Sequence, residues 1–409
     1  MLTLDKRLLV ISHGPLAINA TAGEAVMCGF AQAGLARGWN VTFAAVQQGP
    51  FDLGKLIRPP FFFTSDGKFR NFDCEVPSPA VARGLRELYR SSTLLPKMPA
   101  VALSCLEESF TALVAFDTVP YVLGRRVDAR RKFLILGDPA GERLLHSALR
   151  GCNGSPRSMR RLVAAALVRA TERRKWRVEL NRGNWMVGMF GTHHARSWAK
   201  SLHRRVADLR PMLLPISSSK PKSAAPFVIA FGGSLTGTAS KFALPFLEKH
   251  LLPKIAADVG RTIVFRVVGE CGEPFYSLLR NKPGVEICGR VPDFAQELAN
   301  ADVFILPSAY PIGVRTRICA ALQAGCTCIC FPDVLKGMPE LAECSAVAIV
   351  QNPREMLEAI DRLRIDRKDK RGAARDFFAR HYAANAAANA IYEHLETTNE
   401  FAEPVNISK

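Results

Sequence analysis

The sequence predicts an α/β protein with two Rossmann-like domains, each built on a parallel sheet. Short buried strands alternate with helices of amphipathic spacing, and they do so in two separate series. A stretch rich in Ser, Pro and Lys (SSSKPKSAAP, 217–226) lies between the two series and has the composition of a linker. The length of 409 residues also exceeds a single ordinary core and suits two domains.

The first series occupies residues 1–216. A strand at 7–12 (RLLVIS) leads through a glycine-bearing loop into a helix at 24–37, and a second strand follows at 40–46. A strand, helix and strand in so few residues imply a right-handed crossover and a parallel sheet. The mixture of Pro, Gly and Phe at 51–80 predicts an irregular insertion. Further buried strands are predicted at 112–116, 132–136 and 185–190.

The second series occupies residues 227–372. A helix is predicted over 241–256, where Pro245 has to lie in the first turn. An alanine-rich helix is predicted at 373–396, followed by a polar tail at 397–409. The strands of this series are predicted at 226–233, 262–270, 286–291, 303–306 and 326–331, with a short helix at 294–301.

The formal net charge of +18 would attract polyanions, including anionic lipid headgroups. Much of the excess lies between residues 125 and 210, as in the segment 157–182. On a helix those cations fall on several faces, which argues against a DNA groove and against a helix lying on a membrane. No motif supports nucleic acid as a partner. Two interpretations stay open: a solvated arginine-rich helix, or a surface that meets an anionic membrane.

The eleven cysteines show no paired spacing, so a disulfide framework is not expected and a reduced, cytoplasmic location is predicted. Cys326, Cys328 and Cys330 alternate, which places their sulfurs on one face of a strand. A core strand is favoured over a zinc site, because no second ligand pair lies nearby. No metal site, signal peptide or membrane-spanning run is predicted.

Four turns of the second series follow predicted strands: 232–237, 268–273, 289–294 and 307–316. Ligands of open parallel sheets bind outside the carboxyl ends of the strands, so these turns mark a candidate site. In the last of them a glycine turn leads from a strand into a helix that carries Arg315 and Arg317. Free N–H groups and the helix dipole make such a turn suited to a diphosphate.

These segments resemble the C-terminal domain of group 1 glycosyltransferases, the retaining, metal-independent family 4 of the GT-B fold. The resemblance rests on FGGSLTGTASKF, FRVVGE and EICGRVPDFAQELANADVFILPSAYPIGVRTRICAALQAG, within residues 226–395. Over 1–216 it is looser and rests on GDPAGERLL (137–145) and the strand–helix segment 185–202. It implies two domains facing across a cleft, the first for the acceptor and the second for the donor. The final helix is expected to cross back onto the first domain.

The resemblance also implies the chemistry. The co-substrate is a nucleotide-diphosphate-sugar, no other cofactor is needed, and the acceptor is a glycan or lipid-linked molecule of the cell envelope. The enzyme is then expected in the cytoplasm, peripheral on the inner face of the membrane.

Site residues follow from the resemblance position by position. Gly232, Gly233 and Ser234 would form the loop near the donor phosphates. Lys241 would add positive charge there, or would be a solvated first-turn lysine. The turn along the nucleobase matches Gly289, Arg290 and Val291. The diphosphate turn matches Gly313, Val314, Arg315 and Thr316. Gly14 and Gly23 would border the reacting sugar, or would form a plain loop.

Two positions depart from the family pattern. Members commonly carry two glutamates eight positions apart around the diphosphate turn, and Ile312 and Ala320 stand there in this chain. Glu270 and Glu340 are candidates to replace them. The departure leaves two hypotheses: an active sugar transferase, or a catalytically degenerate module that binds nucleotide-sugar or a partner protein.

Candidate catalytic residues lie in the first series. Asp138 follows a predicted strand and would orient the acceptor hydroxyl or stabilise positive charge on the sugar, unless it caps the next helix. His13 ends the first strand and is the second candidate. His146, His193 and His194 are weaker candidates.

Overall fold

The computed structural model describes residues 6–13, 22–46, 109–181, 183–215, 226–258, 260, 262–366 and 369–397. The predicted insertion at 51–80, linker residues 217–225, Gly14 and the tail from 398 onward lie outside these ranges, as does the side chain of His13. The chain divides into two compact units. Residues 1–210 and 388–409 form the first unit, and residues 211–387 form the second.

The first unit is built on a parallel sheet of six strands in the order β2-β1-β3-β4-β5-β6. Nearly continuous apolar runs such as Phe133 to Leu136 explain why these strands are buried on both faces. The strands are β1 (Arg7–His13), β2 (Asn40–Val46), β3 (Phe110–Phe116), β4 (Ala129–Leu136), β5 (Trp185–Phe190) and β6 (Val206–Leu209).

Helices of the first unit cover the sheet and complete its core. Tyr121, Trp176 and Trp198 are large side chains of this core, and all three are buried. Ser155 caps the longest helix by accepting a hydrogen bond from the Ser158 amide. The helices are α1 (Ala22–Ala36), α2 (Thr118–Gly124), α3 (Ala140–Arg150), α4 (Pro156–Leu180) and α5 (Thr192–Leu202).

The second unit has its own parallel sheet, in the order β12-β11-β10-β7-β8-β9. Phe231, Phe265 and Phe275 fill its core. Cys326, Cys328 and Cys330 are buried at or beside one central strand, as a core strand requires. The strands are β7 (Phe227–Gly232), β8 (Ile263–Val268), β9 (Val285–Gly289), β10 (Val303–Leu306), β11 (Thr327–Cys330) and β12 (Val347–Ile349).

The predicted helix at 241–256 is interrupted only at 242–243, and further along it changes its hydrogen-bond pattern. Pro245 lies in the first turn of one piece, as its missing N–H requires, and Pro253 does the same in a later piece. From Leu244 to Ala256 the pieces follow one another without a gap, and a π-helical turn directly precedes the piece that contains Pro253. The pieces are α6 (Thr238–Lys241), α7 (Leu244–Phe246), a π-helical turn (Leu247–Leu251) and α8 (Leu252–Ala256).

The remaining helices of the second unit follow the sheet connections. Each is short except two, and the diphosphate-type turn predicted at 313–316 leads directly into α11. They are α9 (Phe275–Leu279), α10 (Phe294–Leu298), α11 (Thr316–Ala324), two 3₁₀ turns (Pro332–Lys336 and Pro339–Glu343) and α12 (Pro353–Asp366).

The predicted final helix at 373–396 is three helices: α13 (Arg371–His381), α14 (Ala384–Ala387) and α15 (Asn389–Glu396). The break has a specific cause. The Leu213 amide donates to the Tyr382 carbonyl at 2.9 Å, and the Ala384 amide donates to the Leu213 carbonyl at 2.9 Å. The backbone at 382–384 therefore pairs with an extended segment and cannot continue the helix.

The last of these helices belongs to the first unit. The Tyr392 ring stacks on Phe30 of α1, with 4.8 Å between centroids, and its hydroxyl donates to the Phe30 carbonyl at 2.9 Å. Glu396 accepts hydrogen bonds from the Trp39 indole at 3.1 Å and from Lys6 at 3.0 Å. The C-terminal helix α15 thus packs on the N-terminal unit through the buried Tyr392 and through the hydrogen bonds of Glu396.

Candidate active site

The strand order of the second unit fixes where a ligand can bind. The chain passes from β7 to β8 and β9 on one side, and then returns to place β10 on the other side of β7. The switch point therefore lies between the carboxyl ends of β7 and β10, and a crevice opens there in sheets of this kind. The turn at 232–237 follows β7, and the turn at 307–316 follows β10. The structure thus brings two of the four predicted turns to the switch point.

Two glycines let the backbone turns after β7 and β8 pack directly against each other. The Gly233 amide donates to the Val268 carbonyl at 2.8 Å. A Cβ at Gly232 would lie 2.0 Å from that same carbonyl oxygen, and a Cβ at Gly269 would lie 2.4 Å from the Gly233 oxygen. Any side chain would push these turns apart, so the sequence keeps glycine where backbones approach closely.

Arg317 contacts the glycine pair formed by Gly232 and Gly233. Its guanidinium donates to the Gly232 carbonyl at 3.0 Å and to the Ser240 hydroxyl at 3.2 Å. Burial, with a smaller contribution from the charge of Arg315, lowers the pKa of Arg317 to about 10. The side chain therefore stays protonated at neutral pH and places a half-buried positive charge at the switch point.

The predicted diphosphate turn leads into α11 as expected, but Arg315 faces inward. Its guanidinium donates to the Tyr310 carbonyl and lies 5.1 Å from the centre of the Tyr310 ring. Its amide lies 3.2 Å from the Met338 sulfur. The carbonyl of Gly313 is in close contact with Gly337, where a Cβ would come within 2.5 Å. Thr316 is the first residue of α11, and within the described residues no side chain caps this helix.

The loop after β7 carries Ser234 and leads to Lys241. The Ser234 carbonyl accepts a hydrogen bond from the buried Ser240 hydroxyl at 2.9 Å, which closes the loop over the start of α6. The Ser308 hydroxyl donates to the Ala239 carbonyl, so the loops after β7 and β10 are joined directly. Lys241 is exposed at the end of α6, and its ammonium makes no hydrogen bond or ion pair to the described residues. Its charge is available to a ligand.

The predicted nucleobase turn lies at the outer edge of the same sheet. Gly289 ends β9, and its carbonyl accepts a hydrogen bond from the Gly269 amide at 2.7 Å. Beyond it Arg290 is exposed and Val291 is half-buried. Since β8 and β7 lie between β9 and β10, the ends of the strands that lead into this turn and into the Gly313 turn are about 14 Å apart, at three inter-strand spacings.

Both positions that match the family glutamates carry apolar side chains in this chain. Ile312 is buried and Ala320 is half-buried on α11. Of the two candidate replacements, Glu340 accepts a hydrogen bond from the Tyr382 hydroxyl at 2.8 Å. Glu270 is exposed and follows Gly269 in the glycine-packed turn, where its carbonyl accepts from the Leu235 amide at 3.0 Å. Glu270 is therefore the carboxylate closer in sequence and structure to the glycine pair.

In the first unit the switch point lies between β1 and β3. His13 ends β1 and Asp117 directly follows β3, so both backbones reach this point. Asp117 has a φ of +77°, an uncommon conformation for a residue other than glycine. Its carboxylate accepts hydrogen bonds from the Thr118 amide at 2.8 Å and the Thr118 hydroxyl at 3.2 Å. Strained residues of this kind concentrate at functional sites.

Asp138 is exposed after β4, one strand away from Asp117. A Cβ at Gly137 would lie 3.2 Å from the Asp117 carboxylate, so the two loops adjoin. Helix α3 has Pro139 as its N-cap, and Glu172 of α4 accepts the hydrogen bonds of the first amides, from Ala140 at 3.1 Å and from Gly141 at 2.8 Å. Asp138 therefore does not carry out the capping role that competed with a catalytic one.

Glu172 is buried, and burial raises its pKa to about 7 although two amides donate to it. Beside it, burial acts to raise the pKa of Glu142, but the ion pairs with Arg169 and Arg173 outweigh burial and lower it. His194 is buried at the start of α5, and burial lowers its pKa. These groups form a polar layer between α3, α4 and α5 next to the loop that carries Asp138.

Sequence reasoning missed two residues of these switch points as site candidates. Arg317 was noted only for its charge, and Asp117 was not noted. A signal existed for Asp117, because an aspartate that directly follows a buried strand lies at the edge of a parallel sheet where ligands bind.

Solved structures of low sequence identity share this architecture over nearly the whole chain. WaaG, a glycosyltransferase involved in lipopolysaccharide biosynthesis, is 12% identical with a TM-score of 0.59, covering 96% of this chain and 100% of WaaG. Anabaena HepE, solved with UDP and glucose, is 14% identical with a TM-score of 0.57 over 95% of this chain and 99% of HepE. S. aureus TarM, solved with UDP, fondaparinux and alpha-GlcNAc-glycerol, is 9% identical with a TM-score of 0.63, over 96% and 100%. The fold is GT-B, as the sequence predicts.

The family model described as "Glycosyl transferases group 1" matches residues 226–366. This match confirms the predicted resemblance to group 1 glycosyltransferases over that range, which is about a third of the chain. A search of curated protein sequences found no match. Within the parts of the chain that the structure describes, no helix combines the length and apolarity needed to span a bilayer.

Proposed function

We propose that this chain is a retaining, metal-independent glycosyltransferase of family 4 that takes its sugar from a nucleotide-diphosphate-sugar. The observation that carries the proposal is the meeting of three features at the switch point of the second unit. They are the glycine pair Gly232–Gly233, the protonated Arg317 and the uncapped start of α11. Each of these features favours the binding of an anionic group.

The leaving diphosphate needs positive charge, which a metal ion supplies in many transferases. Here the amides at the start of α11, the guanidinium of Arg317 and the exposed ammonium of Lys241 supply it instead. The amides and the Arg317 guanidinium are held in place before the reaction, so they stabilise the charge that develops on the diphosphate without reorganising.

The nucleoside is proposed to extend from the diphosphate turn toward the turn of Gly289, Arg290 and Val291. The strands that lead into these two turns end about 14 Å apart, a spacing that suits an extended nucleoside diphosphate. HepE and TarM, which share the fold, were solved with UDP, and this supports a nucleotide-sugar donor for the present chain.

The acceptor side of the reaction is assigned to the first unit. In a retaining transfer the acceptor oxygen bonds to the anomeric carbon on the face from which the diphosphate oxygen departs. Asp117 and Asp138 would stabilise the positive charge on the sugar and orient the acceptor hydroxyl. His13 is the second candidate for the acceptor proton, because it ends β1 at the same switch point.

A glycan or lipid-linked acceptor of the cell envelope is the proposed target, and the protein is proposed to act in the cytoplasm, peripheral at the inner face of the membrane. The link of WaaG to lipopolysaccharide and the glycan ligands of TarM support an acceptor of this class. The net charge of +18 supports association of the protein with an anionic membrane surface.

The test is thermal unfolding with a panel of nucleoside diphosphates and their sugars. A ligand at a hundred times its dissociation constant adds about 2.7 kcal/mol to the folded state. A selective shift with one nucleotide-sugar identifies the donor, and release of its nucleoside diphosphate on addition of acceptor glycans establishes transfer. If no nucleotide-sugar shifts the midpoint, the proposal is wrong.

Ile312 and Ala320 favour a second candidate function, a catalytically degenerate module that binds nucleotide-sugar or a partner protein. A lost carboxylate–diol contact would weaken donor binding about tenfold or more. A donor-induced shift without product from any acceptor would support this second function, whereas product formation excludes it.

A further inference from the structure

The outward side of α4 exposes apolar side chains that the fold does not use. Met159, Val163 and Leu167 are 46%, 56% and 60% exposed. Their spacing of four residues places them in one line along the helix. Of the seven large apolar side chains that are exposed among the described residues, five lie on α3 and α4: Leu149, Met159, Val163, Leu167 and Val178.

The opposite side of α4 already supplies the packing that the first unit needs. Ala165, Val168, Trp176 and Leu180 are buried against the sheet and its neighbouring helices. The exposed line is therefore a second apolar stripe on a helix whose first stripe is satisfied. Clusters of exposed apolar side chains of this kind mark binding surfaces.

The charges of α4 are sorted between its two sides. Arg169 and Arg173 pair with Glu142 of α3, the first at 2.7 Å. Arg160, Arg174 and Arg177 are exposed on the side of the apolar line, and none of them forms an ion pair with a described residue. In the sequence the cations of this helix fall on all sides, but the structure shows that three unpaired arginines share its outward side.

We propose that this outer face of α4, made of Met159, Val163, Leu167 and the three arginines, docks on a bilayer that contains anionic phospholipid. The apolar side chains enter the boundary between headgroups and acyl chains, and the guanidinium groups bind lipid phosphates. This proposal rests on the proposed function and extends it, because it names the surface that would bring the protein to the membrane where the acceptor lies.

Charge and shape decide for a bilayer over other occupants. A nucleic acid would use the arginines but would leave the aliphatic line without a partner. A second copy of the chain docking through the same face would bring two groups of unpaired arginines together, and like charges oppose such a contact. An anionic bilayer satisfies both parts of the face, since long arginine side chains can reach the phosphates while their neighbours are buried.

Co-sedimentation with phosphatidylcholine vesicles, with and without phosphatidylglycerol, tests the inference. The wild-type protein should bind the vesicles that contain phosphatidylglycerol, and high salt should weaken this binding. Val163→Gln with Leu167→Gln should abolish it. The triple variant Arg160→Gln, Arg174→Gln, Arg177→Gln should weaken it about a hundredfold, since each cation near the surface contributes about a fivefold factor.

Matched controls come from exposed positions of the second unit. Ile365→Gln removes an 81% exposed apolar side chain, and its vesicle binding should equal that of the wild type. The triple variant Arg280→Gln, Arg354→Gln, Arg362→Gln makes the same change in net charge at three exposed sites and should bind almost as tightly as the wild type. Thermal unfolding of every variant shows whether it is folded.

Three outcomes overturn the docking face. In the first, the α4 variants bind vesicles as the wild type does. In the second, the wild type ignores phosphatidylglycerol. In the third, it forms a dimer that Val163→Gln with Leu167→Gln dissociates, which assigns the face to a second copy. Loss of vesicle binding in the α4 variants supports the face even if no nucleotide-sugar shifts the wild-type melting midpoint, and that result would count against sugar transfer alone.

Discussion

Arg317 donates a hydrogen bond to the carbonyl oxygen of Gly232 at 3.0 Å, although 85 residues separate them in the chain. The contact joins the first turn of α11 to the carboxyl end of β7, the two elements that border the switch point of the second sheet. The missing Cβ at Gly233 makes room for the aliphatic part of the Arg317 side chain, which a Cβ would approach to 2.5 Å. One contact thus couples the glycine turn to the charge that a diphosphate would meet.

Gly233→Ala should destabilise the protein and weaken nucleotide binding. The new Cβ would collide with the Arg317 side chain at 2.5 Å, and the φ of +99° strains any residue except glycine. The expected loss is about 1–3 kcal/mol in the free energy of unfolding, measured by urea denaturation.

Gly237→Ala is the matched control in the same loop. Nothing lies within 4 Å of its added Cβ, and its φ of −75° suits alanine. Alanine restricts the unfolded chain but is a poorer N-cap than glycine, and these opposite effects should leave the free energy of unfolding within about 1 kcal/mol of the wild type. Equal stability of the two variants would contradict the close packing at Gly233.

Arg317→Gln should remove most of the thermal shift caused by a nucleoside diphosphate. The variant loses the positive charge and the fork-shaped donor that Lys cannot reproduce, so Arg317→Lys should recover only part of the shift. Loss of one hydrogen bond to a charged group weakens binding by about 1.5–3 kcal/mol, or about tenfold and more. A full wild-type shift in Arg317→Gln would remove Arg317 from the donor site.

Lys241→Ala should weaken nucleoside diphosphate binding without changing stability. Its ammonium is exposed and makes no contact with the described residues, so the folded state loses little when it is removed. Lys249→Ala makes the same change at another exposed position of the same helical region and should leave binding unaltered. Titration calorimetry with the diphosphate distinguishes the two, and equal affinities would favour a solvated lysine at 241.

Among the described residues, local sequence patterns predicted ten of the twelve strands and missed β6 and β12, and they predicted the directions of individual side chains less well. Uninterrupted apolar runs such as 303–306 identify buried strands wherever they occur. Whether Arg315 or Arg317 faces the sheet edge depends on the backbone angles of the turn that leads into α11. Residue types do not fix those angles. The strain at Asp117 is hidden from the sequence for the same reason.

The helix breaks show a second limit. The break at 382–384 results from hydrogen bonds to Leu213, about 170 residues earlier in the chain, and no local pattern contains that information. The change of hydrogen-bond pattern before Pro253 could be expected from the sequence, since a proline inside a helix removes an amide donor. The pairing of the α4 arginines was likewise hidden from the local sequence, because the position of Glu142 on α3 determines which arginines are paired.

Glu172→Gln should flatten the dependence of stability on pH between about 4.5 and 7. The usual pKa of 4.5 applies to the unfolded chain, and burial raises it to about 7 in the folded protein. The folded state therefore holds a proton that the unfolded state has lost, and the stability contributed by Glu172 is present below pH 4.5 and falls as the pH rises to 7. The fall amounts to up to about 3 kcal/mol.

Melting curves across this pH window measure the effect. Glutamine does not titrate, so the stability of the variant should lack the fall between pH 4.5 and 7. Its NH2 group cannot accept one of the two amide hydrogen bonds, which lowers its stability by a similar amount at every pH. Glu343→Gln, at an exposed position, should follow the wild-type curve. If Glu172→Gln also follows it, the carboxylate is charged throughout the window and the burial argument fails.

Tyr392→Phe should destabilise the first unit, although the residue lies near the C-terminus. The hydroxyl is buried and donates to the Phe30 carbonyl at 2.9 Å, so its removal should lower the free energy of unfolding by about 1 kcal/mol. Tyr392→Ala, which also removes the stacked ring, should lower it by about 3–5 kcal/mol. Hydrogen exchange of the α1 amides around Phe30 should speed up in both variants, because α15 covers this helix. Tyr276→Phe, at a 45% exposed ring, should change stability by less than about 0.5 kcal/mol, and an equal loss there would show that the Phe30 contact is not the cause.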